Sequence, residues 1–505
     1  MFRSFRDRRP SKAVLLALAA ISVIGAAMRL YGLSNQSLWF DEVCSWHTAM
    51  QPTFAGIWSG DIQWNMYPPL YGLVLRAAIE LFGSAEWALR LPSAITGIAA
   101  IPLMYLLGAR IFSDAEGLIA AGFSAFSMFT LYFAQEARPY AILLCCLLTA
   151  VLSWTYLYEA WAQNRNAPRF ELVTCFAASV CMAYLHYFGL LFVLLHGLAT
   201  FALLATTRRG LNRAIAFYAG TAIAFTPWLP SMAWHLRHQS EGPQNPPVES
   251  NVAVSFWEYL NSLFNHGQTA TLLALIVTAS ALFFIVVAAI RVRAQFRHNS
   301  EDLVNYSARI VLFGSLLAWL LLPFLIAYVK SSVSASVFTH RNLIVSLPAV
   351  YLLVARGMTS LPIPARVIHV GAAVVLIAMS ARTITSGYYT APHKDQFREA
   401  VAVVTNQEAQ YPNAALVVYA QLPFAFDYYL ERFGSTLRPA LVGGKEKDIE
   451  TMRAFVRDRK PAYIWYLCTE PFPQNGFVDY LNTDFRVVGV QQFLRANAML
   501  LQPKT

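Results

Sequence analysis

Apolar residues fall in long blocks along most of this chain, and short polar or basic stretches separate the blocks. A helix needs about twenty consecutive apolar residues to cross the hydrocarbon core of a bilayer. The pattern therefore predicts a polytopic α-helical membrane protein. About eleven transmembrane helices are expected, near 13–31, 86–111, 115–134, 139–158, 170–187, 188–206, 213–231, 268–290, 308–328, 342–357 and 367–386.

The pattern changes after the last of these blocks. From residue 388 charges become frequent, and short apolar runs alternate with stretches of helical periodicity. Strands are expected at 415–419, 462–466 and 485–489, and helices at 394–409, 424–433 and 446–458. We therefore predict a transmembrane domain over 1–387, with long outer loops at 32–85 and 232–267, followed by a soluble α/β domain over 388–505.

Basic residues indicate the orientation, because Lys and Arg collect in the cytoplasmic connections of membrane proteins. They occupy the N-terminal tail and alternate loops: Arg3, Arg6, Arg8, Arg9, Lys12, Arg165, Arg169, Arg208, Arg209, Arg213, Arg291, Arg293, Arg297, Arg356 and Arg366. This places the N-terminus in the cytoplasm and the C-terminal domain outside. The net charge of +10 is then a topology signal and does not indicate a nucleic-acid partner. Residues 1–27 also resemble a signal peptide, but the charge alternation favours their retention as the first span.

Two adjacent acids, Asp41 and Glu42, follow the first apolar block, where the chain leaves the membrane. Carboxylates at a hydrocarbon boundary lose solvation, so they are candidates for a functional role. A simpler alternative is that Asp41 caps a short helix whose first turn is Glu42-Val43-Cys44. Neighbouring helical residues point about 100° apart, so one acid would act and the other would orient it.

The cysteines and histidines form no Cys-x-x-Cys pattern and no cluster with metal-ligand spacing. No cofactor is therefore predicted, although the sequence leaves the use of a divalent metal open.

Several short motifs along the chain are similar to one known family. They are Phe40-Asp-Glu42, Tyr67-Pro-Pro-Leu-Tyr71, Ala88-Leu-Arg-Leu-Pro-Ser93, Tyr132-Phe-Ala-Gln-Glu-Ala-Arg-Pro-Tyr140 and His186-Tyr-Phe-Gly189. In their order and their shared outer face they resemble the GT-C class of polyprenyl-phosphate-dependent membrane glycosyltransferases. The resemblance covers roughly residues 10–390 and is nearest to the bacterial protein O-mannosyltransferase and aminoarabinose transferase branch.

The resemblance implies an inverting glycosyltransferase, a hexosyl- or pentosyltransferase, in the bacterial inner membrane. Its donor would be a sugar carried on a polyprenyl phosphate, and its acceptor would be an unidentified outer protein, lipid or glycan. Asp41 would activate the acceptor and Glu42 would assist it. The remaining candidates would bind the donor and its phosphate: Tyr67, Glu136, Arg138, His186, His340 and Arg341.

Within that set, Arg138 and Arg341 are the expected phosphate ligands, because a guanidinium at headgroup depth can grip a phosphate. Glu136 would hold Arg138 as an ion-pair partner. The chain departs from the family pattern at two positions. Tyr67 replaces a Lys or His found in some relatives, and Asn342 follows Arg341 where a Tyr is common.

A lipid-linked sugar transporter or flippase is the main alternative, because it would also have many spans and outer charges. Transporters commonly show repeated halves and ionisable residues near the bilayer midplane. Here no repeat is visible and the acids gather at one face. This asymmetry favours chemistry at a membrane surface.

Overall fold

A computed structural model describes residues 10–59, 67–207, 209–238, 247–265, 272–298, 303–420, 422, 424–443, 448–469 and 475–504. Some predicted features lie outside these residues: the basic side chains of Arg3, Arg6, Arg8, Arg9 and Arg208, part of the first outer loop (60–66), and parts of the second (239–246 and 266–267).

The described part of the chain up to residue 386 is helical. Its helices are α1 (Lys12–Leu30), α2 (Phe40–Ala49), α3 (Phe54–Ser59), α4 (Leu70–Phe82), α5 (Glu86–Ile111), α6 (Asp114–Phe126), α7 (Met128–Ala134), α8 (Tyr140–Ala162), α9 (Arg169–Leu185), α10 (Tyr187–Thr207), α11 (Leu211–Phe225), α12 (Leu229–His238), α13 (Val252–Asn265), α14 (Leu272–His298), α15 (Leu303–Val333), α16 (Leu347–Thr359) and α17 (Ala365–Thr385). Short 3-10 helices cover Thr226–Trp228 and Asn342–Ser346.

Seven of the described helices are long and apolar enough to cross a membrane, and the bent pair α6–α7 would make an eighth. The other predicted spans coincide with α9 and α11, of 17 and 15 residues, and with α14, whose apolar part is Leu275–Arg291. Large apolar side chains face outward from this region, such as Leu16, Val23 and Ile377 at 72%, 68% and 67% exposure. Such a surface suits contact with lipid.

The bend of 57° between α6 and α7 occurs at Ser127, whose backbone is extended. A helix end leaves carbonyl oxygens without intrahelical partners. Here the Arg29 guanidinium of α1 donates to Ser124 O at 2.6 Å and to Ala125 O at 2.8 Å. The hydroxyl of Thr130 also donates to Ser124 O, at 2.8 Å. These bonds stabilise the bend, and they place a fully buried arginine next to it.

The chain divides into two compact units. The first comprises Met1–Tyr31, Gln51–Gly83 and Arg90–Ser386. The second comprises Gly32–Met50, Ser84–Leu89 and Gly387–Thr505, so it combines the C-terminal segment with two pieces of the first outer loop.

The second unit contains a five-stranded mixed sheet. Its elements after residue 386 are α18 (Phe397–Gln407), β1 (Ala415–Tyr419), α19 (Asp427–Arg432), β2 (Pro439–Gly443), α20 (Asp448–Arg459), β3 (Ile464–Thr469), α21 (Asn475–Asp484), β4 (Phe485–Phe493) and β5 (Ala496–Pro503). The strand order is β2-β1-β3-β5-β4, with β1 parallel to β2 and β3, and β5 antiparallel to β3 and β4. The predicted α/β character is confirmed, but β2, β5 and α21 are additional elements.

Candidate functional site

Helix α2 carries the two acids in the second unit. The helix begins at Phe40, with Trp39 as its N-cap, so Asp41 lies inside the first turn. The alternative in which Asp41 caps a helix starting at Glu42 is therefore wrong about the helix start. Glu42 reaches back instead, and its Oε2 accepts the Trp39 N–H at 3.4 Å.

The two acids differ in their surroundings. Asp41 is half-buried, whereas Glu42 is fully buried. The Oε2 atom of Glu42 lies 3.2 Å from the Nζ atom of Lys394, which is also buried. Next to Lys394, the Oδ2 atom of Asp395 accepts the Phe40 N–H at 2.9 Å.

The sequence reasoning did not identify Lys394 and Asp395. They lie in the polar run His393-Lys-Asp-Gln-Phe-Arg398, just after the last apolar block. The concentration of charged residues in this run, close to the end of the last predicted span, is the sequence feature that would identify them as candidates.

A second group of candidate residues lies in the first unit and centres on Arg138. The guanidinium carbon of Arg138 lies 4.8 Å from the ring centre of Tyr67 and 5.9 Å from that of Tyr140. The rings of Tyr67 and His186 are 4.9 Å apart between centroids. The backbone oxygen of Arg138 accepts a hydrogen bond from the Ser93 hydroxyl at 3.0 Å. The structure thus brings together Tyr67, Arg138 and His186, which are distant in sequence.

His186 is buried at the junction of α9 and α10. Burial, and then the positive charges of Arg138 and Arg341, lower its pKa to about 3, while the Asn342 carboxamide opposes this shift. The imidazole is therefore neutral at ordinary pH. Its Nδ1 atom accepts the Phe188 N–H at 3.1 Å, which assigns the remaining proton to Nε2.

The Nε2–H group of His186 is consequently a buried donor with a fixed position. The two arginines that lower the His186 pKa supply positive charge around it. A neutral N–H donor near two guanidiniums is suited to bind an anionic oxygen.

The other predicted residues have the following positions. Glu136 is fully buried in the loop between α7 and α8, close in sequence to Arg138, and their ion pair stays a prediction. Arg341 is half-buried, and His340 packs edge to face against Phe338 with 6.3 Å between ring centroids. Among the described residues, no group of three or more His, Cys, Asp or Glu side chains is arranged to hold a metal ion.

A largely apolar cavity of about 90 Å³ lies between α8, α10 and α15 in the first unit. Aliphatic side chains form most of its wall, and Trp154, Phe192, His196 and Trp319 contribute rings to it. Both α8 and α10 begin beside the Arg138 group, at Tyr140 and Tyr187. The same two helices therefore extend from the Arg138 group, which also includes Tyr67 and His186, to the apolar cavity.

Comparison with known proteins gives matches to both sequence and structure. Residues 66–234, less than half of the chain, match the model of the dolichyl-phosphate-mannose-protein mannosyltransferase family. No curated protein matches the chain significantly.

Among solved structures, ArnT from Cupriavidus metallidurans in the apo state is similar, with 15% identity, a TM-score of 0.59 and 97% of each chain covered. The same protein bound to undecaprenyl phosphate gives 14% identity and a TM-score of 0.58, with 97% of this chain and 98% of that chain covered. The oligosaccharyltransferase of Archaeoglobus fulgidus, tethered to an acceptor peptide, gives 10% identity and a TM-score of 0.52, with 90% and 69% covered.

These matches support the prediction of a transferase and confirm a multi-pass membrane architecture. The chain has the GT-C fold of membrane glycosyltransferases.

Proposed function

We propose that the chain is an inverting glycosyltransferase that moves a sugar from a polyprenyl-phosphate donor to an acceptor outside the bacterial inner membrane. The observation that carries the proposal is the cationic group of the first unit, in which the His186 Nε2–H lies near Arg138 and Arg341. A lipid phosphate is the anion expected at such a site in a membrane protein of this fold.

The reaction is a single displacement. An acceptor hydroxyl or amine attacks the anomeric carbon, the bond from that carbon to the phosphate oxygen breaks, and the bonding electrons leave with the polyprenyl phosphate. Asp41 takes the acceptor proton, as the family resemblance implies. One carboxylate suffices, because attack opposite the leaving group inverts the anomeric centre.

The phosphate gains negative charge as it leaves. Arg138 and Arg341 stabilise that charge, and His186 donates a hydrogen bond to it without changing its own protonation state. Tyr67 packs against both Arg138 and His186 and limits their movement.

The apolar cavity supports a lipid-linked donor. Trp154 lies fourteen residues along α8 from Tyr140, which corresponds to roughly 20 Å along the helix axis. An isoprenoid chain held at its phosphate by Arg138 could follow α8 and α10 to the apolar cavity that Trp154 and Trp319 help to line. Such a chain would bury apolar surface there.

Binding of undecaprenyl phosphate without a sugar to the purified protein tests the donor site. We expect Arg138→Ala and His186→Phe to lower the affinity at least tenfold, a loss of about 1.4 kcal/mol or more. Arg169→Ala is the matched control, because Arg169 is an exposed arginine at the other end of α9 from His186. Equal affinity in all four proteins would contradict the proposed phosphate site.

Transfer itself is tested by mass spectrometry of outer-face proteins, lipids and glycans from cells with and without this chain. The expected result is one class of molecule that loses a single sugar when the chain is absent. A lipid-linked sugar that changes side of the membrane, with no acceptor losing a sugar, would instead indicate a transporter.

A further inference from the structure

Two consecutive residues, Lys394 and Asp395, both bind the first turn of α2 within the second unit. Lys394 Nζ lies 3.2 Å from Glu42 Oε2, and Asp395 Oδ2 accepts the Phe40 N–H at 2.9 Å. The first turn of α2 is therefore held through a side chain and through its backbone. Asp41 lies between these two points of attachment.

The pair between Lys394 and Glu42 is shielded from water. The side chains are 3% and 0% exposed, respectively. If either side chain moved away, the other charge would be left buried without a partner, which is strongly destabilising. Each side chain therefore holds the other in place. Glu42 also accepts the Trp39 N–H, and Trp39 is the N-cap of the helix. Because the ion pair holds Glu42, it also fixes the backbone at the start of α2.

Asp395 satisfies a backbone N–H that the helix itself cannot pair. Burial raises the pKa of Asp395, and the charge of Asp41 contributes in the same direction, while the Phe40 N–H and Arg495 oppose the shift. The Asp41 carboxylate is therefore close enough to Asp395 for its charge to act on that residue.

We propose that Lys394 and Asp395 are positioning residues that set the orientation of Asp41. The proposal rests on the proposed function, in which Asp41 is the general base. Neither Lys394 nor Asp395 needs to contact the substrate. A base that is displaced by about 1 Å can lose a hundredfold in rate, so a fixed helix start has catalytic value.

The first test removes both charges of the buried pair. Lys394→Met combined with Glu42→Gln avoids an uncompensated charge and is expected to fold. We expect its kcat for sugar transfer to fall about tenfold or more, with an unchanged KM for the donor. Arg432→Gln is the matched control, because it breaks the ion pair between Arg432 and Glu86 (3.1 Å) in the same unit. The control is expected to keep the kcat of the wild type.

The second test is Asp395→Asn, which keeps an oxygen that can accept the Phe40 N–H. Asp395→Ala, which lacks that oxygen, should lower kcat about tenfold or more with an unchanged KM for the donor, and Asp395→Asn should recover most of that loss. A purely structural role for Asp395 would lower the Tm of Asp395→Ala and leave the kcat of the folded protein unchanged.

The outcomes distinguish a failure of the proposed function from a failure of the positioning role. If the wild-type protein transfers no sugar, the proposed function fails before any variant is compared. If the wild type is active and a folded Lys394→Met/Glu42→Gln protein has the wild-type kcat, the positioning role is refuted. A folded Asp395→Ala protein with the wild-type kcat refutes it as well, even if the double variant fails to fold.

Discussion

The Nε2 atom of Gln135 donates to the backbone oxygen of Arg29 at 3.0 Å. It also lies within bonding distance of the oxygens of Met28 (3.1 Å) and Tyr31 (2.7 Å), at the end of α1. Arg29 in turn holds the end of α6 at the bend. These two side chains therefore tie α1 to both halves of the bent helix, just before the loop that contains Glu136 and Arg138.

Replacement of Gln135 by Leu should destabilise this junction. Buried carbonyl oxygens would lose their donor, at a cost of about 1–3 kcal/mol for an unsatisfied group. We expect a lower Tm of the detergent-purified protein and weaker binding of undecaprenyl phosphate. Gln163→Leu is the control, because Gln163 is exposed at the end of α8. An unchanged Tm in Gln135→Leu would show that this side chain does not support the junction.

The two acids of α2 should respond differently to neutralisation. Asp41→Asn keeps the shape of the side chain but cannot accept a proton, so sugar transfer should fall by about 10²–10⁴-fold. Glu42→Gln leaves the Lys394 charge buried without its carboxylate, so this variant should lose Tm, and its transfer should fall less than that of Asp41→Asn. Transfer assays and thermal melts on both variants check this difference. Residual transfer above about a tenth in Asp41→Asn would argue against a base.

Arg138→Lys separates charge from geometry at the phosphate site. Lysine keeps the positive charge, but it lacks the planar fork that packs against Tyr67 and can grip two phosphate oxygens. We expect weaker binding of undecaprenyl phosphate to Arg138→Lys and still weaker binding to Arg138→Ala. Calorimetric titration of both variants provides the measurement. If Arg138→Lys bound as well as the wild type, only the charge of Arg138 would matter.

The low pKa of His186 predicts a pH dependence of stability. In the folded protein the pKa is about 3, below the ordinary value of 6.5, so below about pH 6.5 the unfolded chain takes up a proton that the folded chain does not. The contribution of His186 to stability is therefore fully present above pH 6.5 and is lost progressively as the pH falls towards 3. His186→Gln should reduce the decline in Tm between pH 7 and pH 4.5. The same decline in both proteins would contradict the burial of a neutral imidazole.

The length and order of the apolar blocks predicted most helices of the first unit, because hydrophobic periodicity is a local property. The start of the helix after Pro68-Pro69 was also predictable, because proline is disfavoured in the interior of a helix but tolerated at its start. Helix α4 indeed begins at Leu70, directly after the two prolines. The start of α2 was not, because Trp39 occupies the N-cap without the usual polar side chain.

Contacts between segments that are distant in the sequence could not be predicted from local sequence patterns. The Phe40 N–H and the Asp395 carboxylate pair across 355 residues, and no spacing rule links them. The grouping of Tyr67, Arg138 and His186 was predictable only in part, because their shared outer face followed from the topology. Their distances from one another depend on side-chain packing, which the sequence does not show. Strand β2, with Pro439 and Gly443 at its ends, had too little alternation to be recognised.

The second unit is assembled from pieces that the ribosome produces at very different times. At about 5–20 residues per second, the 355 residues between Phe40 and Asp395 take roughly 20–70 s to synthesise. Throughout that interval the helix with Asp41 exists without the cap from Asp395 and without the counter-charge from Lys394. A chain that stops before residue 394 would insert its spans yet lack these two contacts. Completion of the helix that carries Asp41 is thereby coupled to synthesis of the segment that follows the last predicted span.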